Sequence, residues 1–164
     1  DGARISSATT PSISATSSIM LYILVRSCLL KAPFSLTTPT AIKSDIENIS
    51  VESNIADVII SNCVINLSTD KQKVFNEAFR LLKSGGILLD ADVIAEEELS
   101  IKMQENNELW CSCVGGALTE EKYKEMLKNA GFNDVEVKYA GKGQVQFESK
   151  SYGILSGLIF ARKP

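Results

Sequence analysis

The chain has 164 residues, of which 45% are hydrophobic and 23% charged, enough for the apolar core of one globular domain. Its net charge of −3 predicts no nucleic-acid surface, and no apolar run approaches the roughly 20 residues of a membrane span. Histidine is absent, which excludes Ser-His-Asp and Cys-His catalysis.

The first 40 residues differ in composition from the rest. Serine and threonine make up 14 of them, Asp1 is their only acid, and the apolar residues follow neither a helical nor an alternating period. Such a composition is typical of a transit peptide, and a mis-assembled segment would have the same appearance. Residues 1–40 are therefore interpreted as a Ser/Thr-rich segment of unclear status, separate from residues 41–164.

Strands and helices alternate from residue 41 onward. "ADVIIS" (56–61) is predicted to be a strand buried on both faces of a parallel sheet. A helix is predicted next, with Ser68 as its N-cap, Lys83 in its last turn and Gly85-Gly86 as its stop. "ILLDADVI" (87–94) is the following buried strand.

The second half repeats this pattern. Thr119 is predicted to cap a helix that Gly131 ends, and "DVEVKYA" and "ILSGLIFARKP" are the last predicted strands. This order predicts an α/β fold, an open sheet with crossover helices. Such sheets bind ligands at the carboxyl ends of their strands, and Cys63 comes directly after "DVIISN".

The four cysteines are Cys28, Cys63, Cys111 and Cys113. The chain is too long and too rich in core residues for a disulfide scaffold, so a reduced, cytoplasmic setting is predicted. The Cys-x-Cys pair in "LWCSCVGGAL" (109–118) lacks the spacing of thioredoxin-like or zinc-ribbon sites. Thiols without nitrogen ligands favour soft ions such as trivalent arsenic, while structural zinc and disulfide redox chemistry are the open alternatives.

The chain from Ile42 to Pro164 resembles the arsenite methyltransferases, which are class I methyltransferases dependent on S-adenosylmethionine. The motifs that carry the resemblance are "ISNCVINLS" and "CVGGAL". The resemblance implies a Rossmann-like class I methyltransferase sheet with crossover helices. It also implies that residues 41–164 are a partial methyltransferase domain and that the reaction is the transfer of methyl groups to trivalent arsenic.

The resemblance also implies a site. Cys63 and Cys113 would hold arsenic(III) beside the methyl group of S-adenosylmethionine, and the attack by arsenic needs no protein base. Arsenite or glutathione-bound arsenite would be the substrate, and glutathione or thioredoxin the thiol reductant. Cys111 matches no family ligand and is interpreted as a spare thiol. Asp92 matches the acid at the end of a family strand.

The cofactor residues that the resemblance implies are Asp45 and Ile46 at the adenine, and Ser61 and Asn62 along the methionine part through their backbone groups. A solvated loop acid is the alternative interpretation of Asp45. Asn66 is expected either to take part in the site or to satisfy the turn before the helix.

The family's cofactor-binding glycine loop is missing, because no glycine lies between Gly2 and Gly85. The first strands of the sheet are therefore expected to be lost or replaced, which would leave an exposed sheet edge. Gly115 and Gly116 are predicted to let the backbone pass close to the site, or to form a plain turn. The alternatives to an arsenite methyltransferase are a non-catalytic arsenic(III)-binding thiol protein, an inactive remnant, or a methyltransferase for another small molecule.

Overall fold

The computed structural model describes residues 22–24 and 44–164. Within them, five strands form one sheet in the order β1-β2-β3-β5-β4. The strands are β1 (Tyr22–Leu24), β2 (Ala56–Asn62), β3 (Leu82–Ala95), β4 (Asn133–Phe147) and β5 (Lys150–Arg162). β2 and β3 are parallel, and the other neighbouring pairs are antiparallel.

Four α-helices connect these strands in the described residues: α1 (Lys71–Leu81), α2 (Ile101–Gln104), α3 (Asn107–Cys111) and α4 (Glu120–Asn129). α1 is the crossover between the parallel strands β2 and β3, which is the connection that parallel pairing requires. The predicted α/β sheet is therefore confirmed, with a single parallel pair. None of these helices is long and apolar enough to cross a membrane.

One face of the sheet is buried beneath α1 and α4. The main cluster of fully buried side chains comes from both helices and from β2, β3 and β5, and its largest members include Ile59, Phe75, Leu88, Tyr123 and Leu127. The opposite face leaves Leu89 and Leu158 partly exposed. The helices thus cover the face on which residues 88, 90, 92 and 94 of β3 are buried.

The predicted boundaries of α1 were wrong at both ends. Its N-cap is Asp70, whose Oδ1 accepts a hydrogen bond from the Lys73 N–H at 3.1 Å, whereas the Ser68 hydroxyl donates to Glu47 at 2.7 Å. The helix ends at Leu81, so Lys83 lies beyond the last turn. Leu82 is extended and fully buried in β3, and burial of this side chain in the sheet outweighs continuation of the helix.

In the second half of the chain, the predicted ends of the helix agree with the structure. The Thr119 hydroxyl caps α4 by accepting from the Lys122 N–H, and Gly131 follows the helix with a φ of 104°. The last two strands are longer than predicted, because β4 and β5 pair as a hairpin from Asn133 to Arg162. The short helices α2 and α3 were not predicted.

The edge of β2 was expected to be exposed. Instead, β1 pairs with it in antiparallel register, from Tyr22 opposite Ile60 to Leu24 opposite Val58. The rest of the predicted Ser/Thr-rich segment, residues 1–21 and 25–40, lies outside the described residues, as does Cys28.

Replacing Ile94 tests the core directly. This β3 side chain is 1% exposed, whereas Ile101 is 72% exposed. We expect Ile94→Ala to lower the free energy of unfolding by about 2–5 kcal/mol, because the removed atoms leave a cavity. The matched control Ile101→Ala should change it by no more than about 0.5 kcal/mol. Urea unfolding measures both values, and equal effects would contradict the described core.

Candidate thiol site at the carboxyl edge of the sheet

Cys63 is the first residue after β2. Its N–H donates to the Ala91 carbonyl at 2.9 Å, which extends the pairing with β3 by one step, and its side chain is exposed. Its φ of 51° lies in the left-handed region, where a residue with a Cβ is strained by roughly 1–3 kcal/mol. Such residues cluster at functional sites, so this backbone geometry supports a site at Cys63.

Cys113 lies on the loop after α3 and also has a left-handed backbone, with a φ of 63°. Its side chain is buried, and its Sγ donates a hydrogen bond to the Cys63 carbonyl at 3.1 Å. Its N–H donates to the Trp110 carbonyl at 3.0 Å. The structure therefore brings together two cysteines that are 50 residues apart in the sequence.

Asp92 of β3 lies beside both thiols. Its carboxylate and the two sulfur atoms all lie within 4.8 Å of one another. Sequence reasoning gave Asp92 no role as a ligand, although a signal was present. In "DAD" the two acids alternate along a buried strand, so Asp90 and Asp92 share the face beneath the helices.

The Asn66 side chain joins the elements that form this site. Its Nδ2 donates to the carbonyls of Val93 at 2.7 Å and Cys113 at 3.1 Å, and its Oδ1 accepts from the Tyr123 hydroxyl at 3.1 Å. Its N–H donates to the Asp92 carboxylate at 3.1 Å. Asn66 thus fixes both the loop of Cys113 and the carboxylate beside the thiols, which is more than satisfying its own turn.

The loop passes close to other backbone at Gly115 and Gly116. A Cβ at Gly116 would lie 1.9 Å from the Asn66 carbonyl oxygen, and one at Gly115 would lie 2.8 Å from the Trp110 nitrogen. Real Cβ atoms do not approach so closely, so only glycine lets this loop pack against the turn that follows Cys63.

The acids beneath the thiols are deeply buried. Within the part of the chain that the structure describes, neither carboxylate oxygen of Asp90 has a hydrogen-bond partner, and neither has the hydroxyl of Ser61, its neighbour in β2. Burial raises the pKa of Asp90 well above its ordinary value, and the charge of Asp92 raises it further. Burial also raises the pKa of Asp92. Asp90 therefore retains its proton more readily than an exposed aspartate does.

The two thiols are more weakly acidic than free cysteine. Burial and then the negative charge of Asp92 raise the pKa of Cys63, and the same two causes raise that of Cys113 to about 12. Both thiols are therefore protonated at neutral pH. Lys71 lies nearby, with its Nζ donating to the Ser68 carbonyl at 3.0 Å and lying 5.3 Å from the Trp110 ring.

The residues predicted to bind the cofactor occupy different environments. Asp45 is exposed, and its Oδ1 accepts from the Glu47 N–H within its own turn, whereas Ile46 is half-buried against the main core. The Ser61 side chain is buried in the sheet, and Asn62 is exposed at its edge. The Asp45 and Asn62 side chains are therefore accessible, and the contacts of Ser61 and Asn62 through backbone groups stay a prediction.

Cys111 is the last residue of α3 and is exposed. It is not in the group formed by Cys63, Asp92 and Cys113. The interpretation of Cys111 as a spare thiol remains a prediction.

Comparison with known proteins places the chain in a family. A model described as "Methyltransferase domain" matches residues 34–131. The chain belongs to this methyltransferase family. Among solved structures, it is similar to an arsenic(III) S-adenosylmethionine methyltransferase of Chlamydomonas reinhardtii. The TM-score is 0.58 at 25% identity, over 74% of this chain and 42% of that one. A phosphoethanolamine N-methyltransferase of Haemonchus contortus, 18% identical with a TM-score of 0.54 over 73% of this chain and 36% of that one, shares the fold alone.

Curated relatives include the arsenite methyltransferases of Aquipseudomonas alcaligenes, 41% identical over 90 residues, and Rattus norvegicus, 39% identical over 104 residues. These alignments cover 55% and 60% of this chain but 26% and 28% of the relatives. The predicted resemblance to arsenite methyltransferases is thereby confirmed. The chain spans about a quarter of the length of the curated relatives it matches.

Replacing Gly116 tests the packing of the Cys113 loop. We expect Gly116→Ala to lower the free energy of unfolding by about 1–3 kcal/mol, because the backbone must move away from Asn66. The displaced loop should also expose Cys113, so that iodoacetamide alkylates it faster than in the parent chain, as peptide mass spectrometry would measure. Gly141→Ala is the matched control, since its Cβ would meet only Ser156 at 3.9 Å. Unchanged alkylation in a folded Gly116→Ala chain would contradict this packing.

Proposed function

We propose that this chain binds trivalent arsenic through Cys63 and Cys113, and that this site serves the S-adenosylmethionine-dependent methylation of arsenite. The observation that supports the proposal is the approach of the two sulfur atoms to within 4.8 Å at the carboxyl edge of the sheet. The arsenite methyltransferases to which the chain is similar support the identity of the ligand.

The protonation of the two thiols suits arsenite as a ligand. Arsenite is neutral As(OH)₃ at neutral pH. When two thiols replace two of its hydroxyls, two As–O bonds break, two As–S bonds form, and the two thiol protons leave with the hydroxyls as water. Arsenic stays trivalent and the charge of the site does not change. The buried carboxylate of Asp92 therefore does not oppose this exchange, although it opposes ionisation of the same thiols.

The arrangement of the thiols also favours binding. Asn66 and Gly116 fix the loop of Cys113 against the turn after Cys63. Arsenic bound to one thiol therefore already lies beside the other, and the second As–S bond forms in an intramolecular step. Such an intramolecular step benefits from an effective concentration of the second thiol far above that of a free thiol in solution. With glutathione-bound arsenite, two As–S bonds to glutathione would break instead, and the two thiol protons would leave on the released glutathione thiols. Glutathione or thioredoxin, in a reducing compartment such as the cytoplasm, would keep both thiols reduced.

S-adenosylmethionine would supply the methyl group, as the name of the Chlamydomonas reinhardtii relative suggests. The described residues offer only part of a site for it. Asp45 and Asn62 are exposed, but no glycine lies between Gly2 and Gly85 to let the protein backbone approach the cofactor closely. These residues do not fit the whole cofactor, and we derive no step through it.

This incomplete fit favours a second candidate function for the 164-residue chain. A thiol protein that binds arsenic(III) without transferring a methyl group needs only Cys63 and Cys113. The two candidates share the arsenic site and differ in the binding of the cofactor, so separate titrations distinguish them.

Arsenic binding is tested by titrating the reduced chain with a trivalent arsenical and following the fluorescence of Trp110, its single tryptophan. We expect Cys63→Ser and Cys113→Ser each to weaken binding by about 100-fold or more, because the one thiol of the proposed pair that remains cannot chelate arsenic by itself. Cys111→Ser is the matched control and should bind as the parent does. An equal loss in Cys111→Ser would show that Cys111, and not only the proposed pair, binds arsenic.

Cofactor binding is tested by isothermal titration of the same chain with S-adenosylmethionine. We expect a dissociation constant weaker than about 1 mM, because the contacts that the described residues offer are few. Circular dichroism of the same sample shows whether the chain is folded. A one-to-one isotherm in the micromolar range would contradict the prediction and would favour the methyltransferase over the binding protein.

A further inference from the structure

The group of Cys63, Cys113 and Asp92 has a donor set that arsenic binding does not use fully. Arsenite needs only the two sulfur atoms, and Asp92 adds a carboxylate within 4.8 Å of both. Two thiolates and one carboxylate are a donor set for a borderline-soft divalent cation. We propose that Cys63, Cys113 and Asp92 bind a thiophilic divalent cation such as Zn²⁺ or Cd²⁺.

The distances are close to those of such a site. With Zn–S bonds of about 2.3 Å, the two sulfurs of a tetrahedral site lie about 3.8 Å apart, and a sulfur and a carboxylate oxygen slightly less. The three donor atoms, all within 4.8 Å of one another, need a contraction of at most about 1 Å. The Cys63 side chain is exposed, so rotation about its Cα–Cβ bond supplies this movement and leaves a fourth position open to water.

The electrostatics of the site favour a cation. Asp92 is buried beside both sulfur atoms, so its carboxylate acts on a cation there with little screening by water. Lys71 is the lysine whose charge acts on Asp92, but its Nζ donates to the Ser68 carbonyl and faces the Trp110 ring. A divalent cation would offset the charges of two thiolates and one carboxylate, which neutral arsenite does not do.

The ligands are also held in position from behind. The Asp92 carboxylate accepts from the Asn66 N–H at 3.1 Å and from the Val93 N–H at 2.9 Å, which fixes its orientation. The Asn66 amide holds the Cys113 carbonyl at 3.1 Å. In metal sites, hydrogen-bond partners of this kind orient the side chains that bind the metal directly, and they contribute strongly to affinity.

The cation site does not depend on the proposed arsenic function. If both exist, they compete, because each needs both thiols. Asp92 distinguishes them, since it is a ligand for the cation and a neighbour for arsenic. The ratio of cadmium affinity to arsenic(III) affinity therefore reports on Asp92 separately from any general damage to the site.

The test is a titration of the reduced chain with Cd²⁺ alone, followed by the ultraviolet charge-transfer absorption of cadmium–thiolate bonds. All variants carry Cys28→Ser, which removes the thiol outside the described residues. We expect one Cd²⁺ per chain, loss of this absorption in Cys63→Ser and Cys113→Ser, and no change in Cys111→Ser. In Asp92→Asn the ratio of cadmium to arsenic(III) affinity should fall by about tenfold or more, because loss of even a supporting group costs that much in other sites.

Two results would overturn the proposal: an unchanged affinity ratio in Asp92→Asn, or a Cys111→Ser variant that loses cadmium as the other two serine variants do. If Asp92→Asn does not fold, as circular dichroism would show, X-ray absorption of the cadmium-bound parent chain decides. Two sulfur ligands together with oxygen ligands support the site, and three or four sulfur ligands refute it. Failure of arsenic(III) to bind while Cd²⁺ binds would overturn the proposed function and leave the cation site supported.

Discussion

The buried amide of Asn66 is the contact on which the candidate site depends. It is 0% exposed, and it joins β3 through Val93, the loop after α3 through Cys113, and α4 through Tyr123. Because water cannot replace these partners, each lost hydrogen bond would leave a buried polar group unsatisfied, at a cost of about 1–3 kcal/mol. The amide thus links the stability of the domain to the distance between the two thiols, since the same contacts set both.

The sequence predicted those elements whose apolar residues repeat regularly. α1 and α4 bury one stripe each, and β2 is a continuous apolar run, so their existence follows from periodicity. The C-terminal end of α1 could not be predicted in this way, because pairing of Leu82 with Ala56 in the sheet decides it. α2 and α3 have only four and five residues, which is too short for an apolar period to be detected. Their N-termini are capped by Ser100 and Asn106.

The sequence predicted the residues of the candidate site better than it predicted their contacts in space. Motifs identified Cys63 and Cys113, but their contact depends on the path of the chain over a separation of 50 residues. The sequence named Asn66 as a candidate for the site or for its turn but could not decide between the two, because its side-chain partners lie 27, 47 and 57 residues away. The position of Asp92 could have been predicted, since strand alternation places it on the buried face with Asp90. The burial of Ser61 on that same face follows from its pairing with Asp90.

The charge of Asp92 affects how readily the two thiols of the site lose their protons. Its negative charge adds to burial in raising the pKa of Cys63 and Cys113, and so lowers the population of thiolate, the form that oxidants attack. Arsenite exchange releases its protons as water and needs no free thiolate, so this protection does not impede it. A divalent cation must displace the same protons into solvent, and gains the carboxylate as a ligand in return. The charge of Asp92 would therefore affect thiol oxidation, the proposed arsenite exchange and the proposed cation binding differently, according to the charge that each reaction leaves in the site.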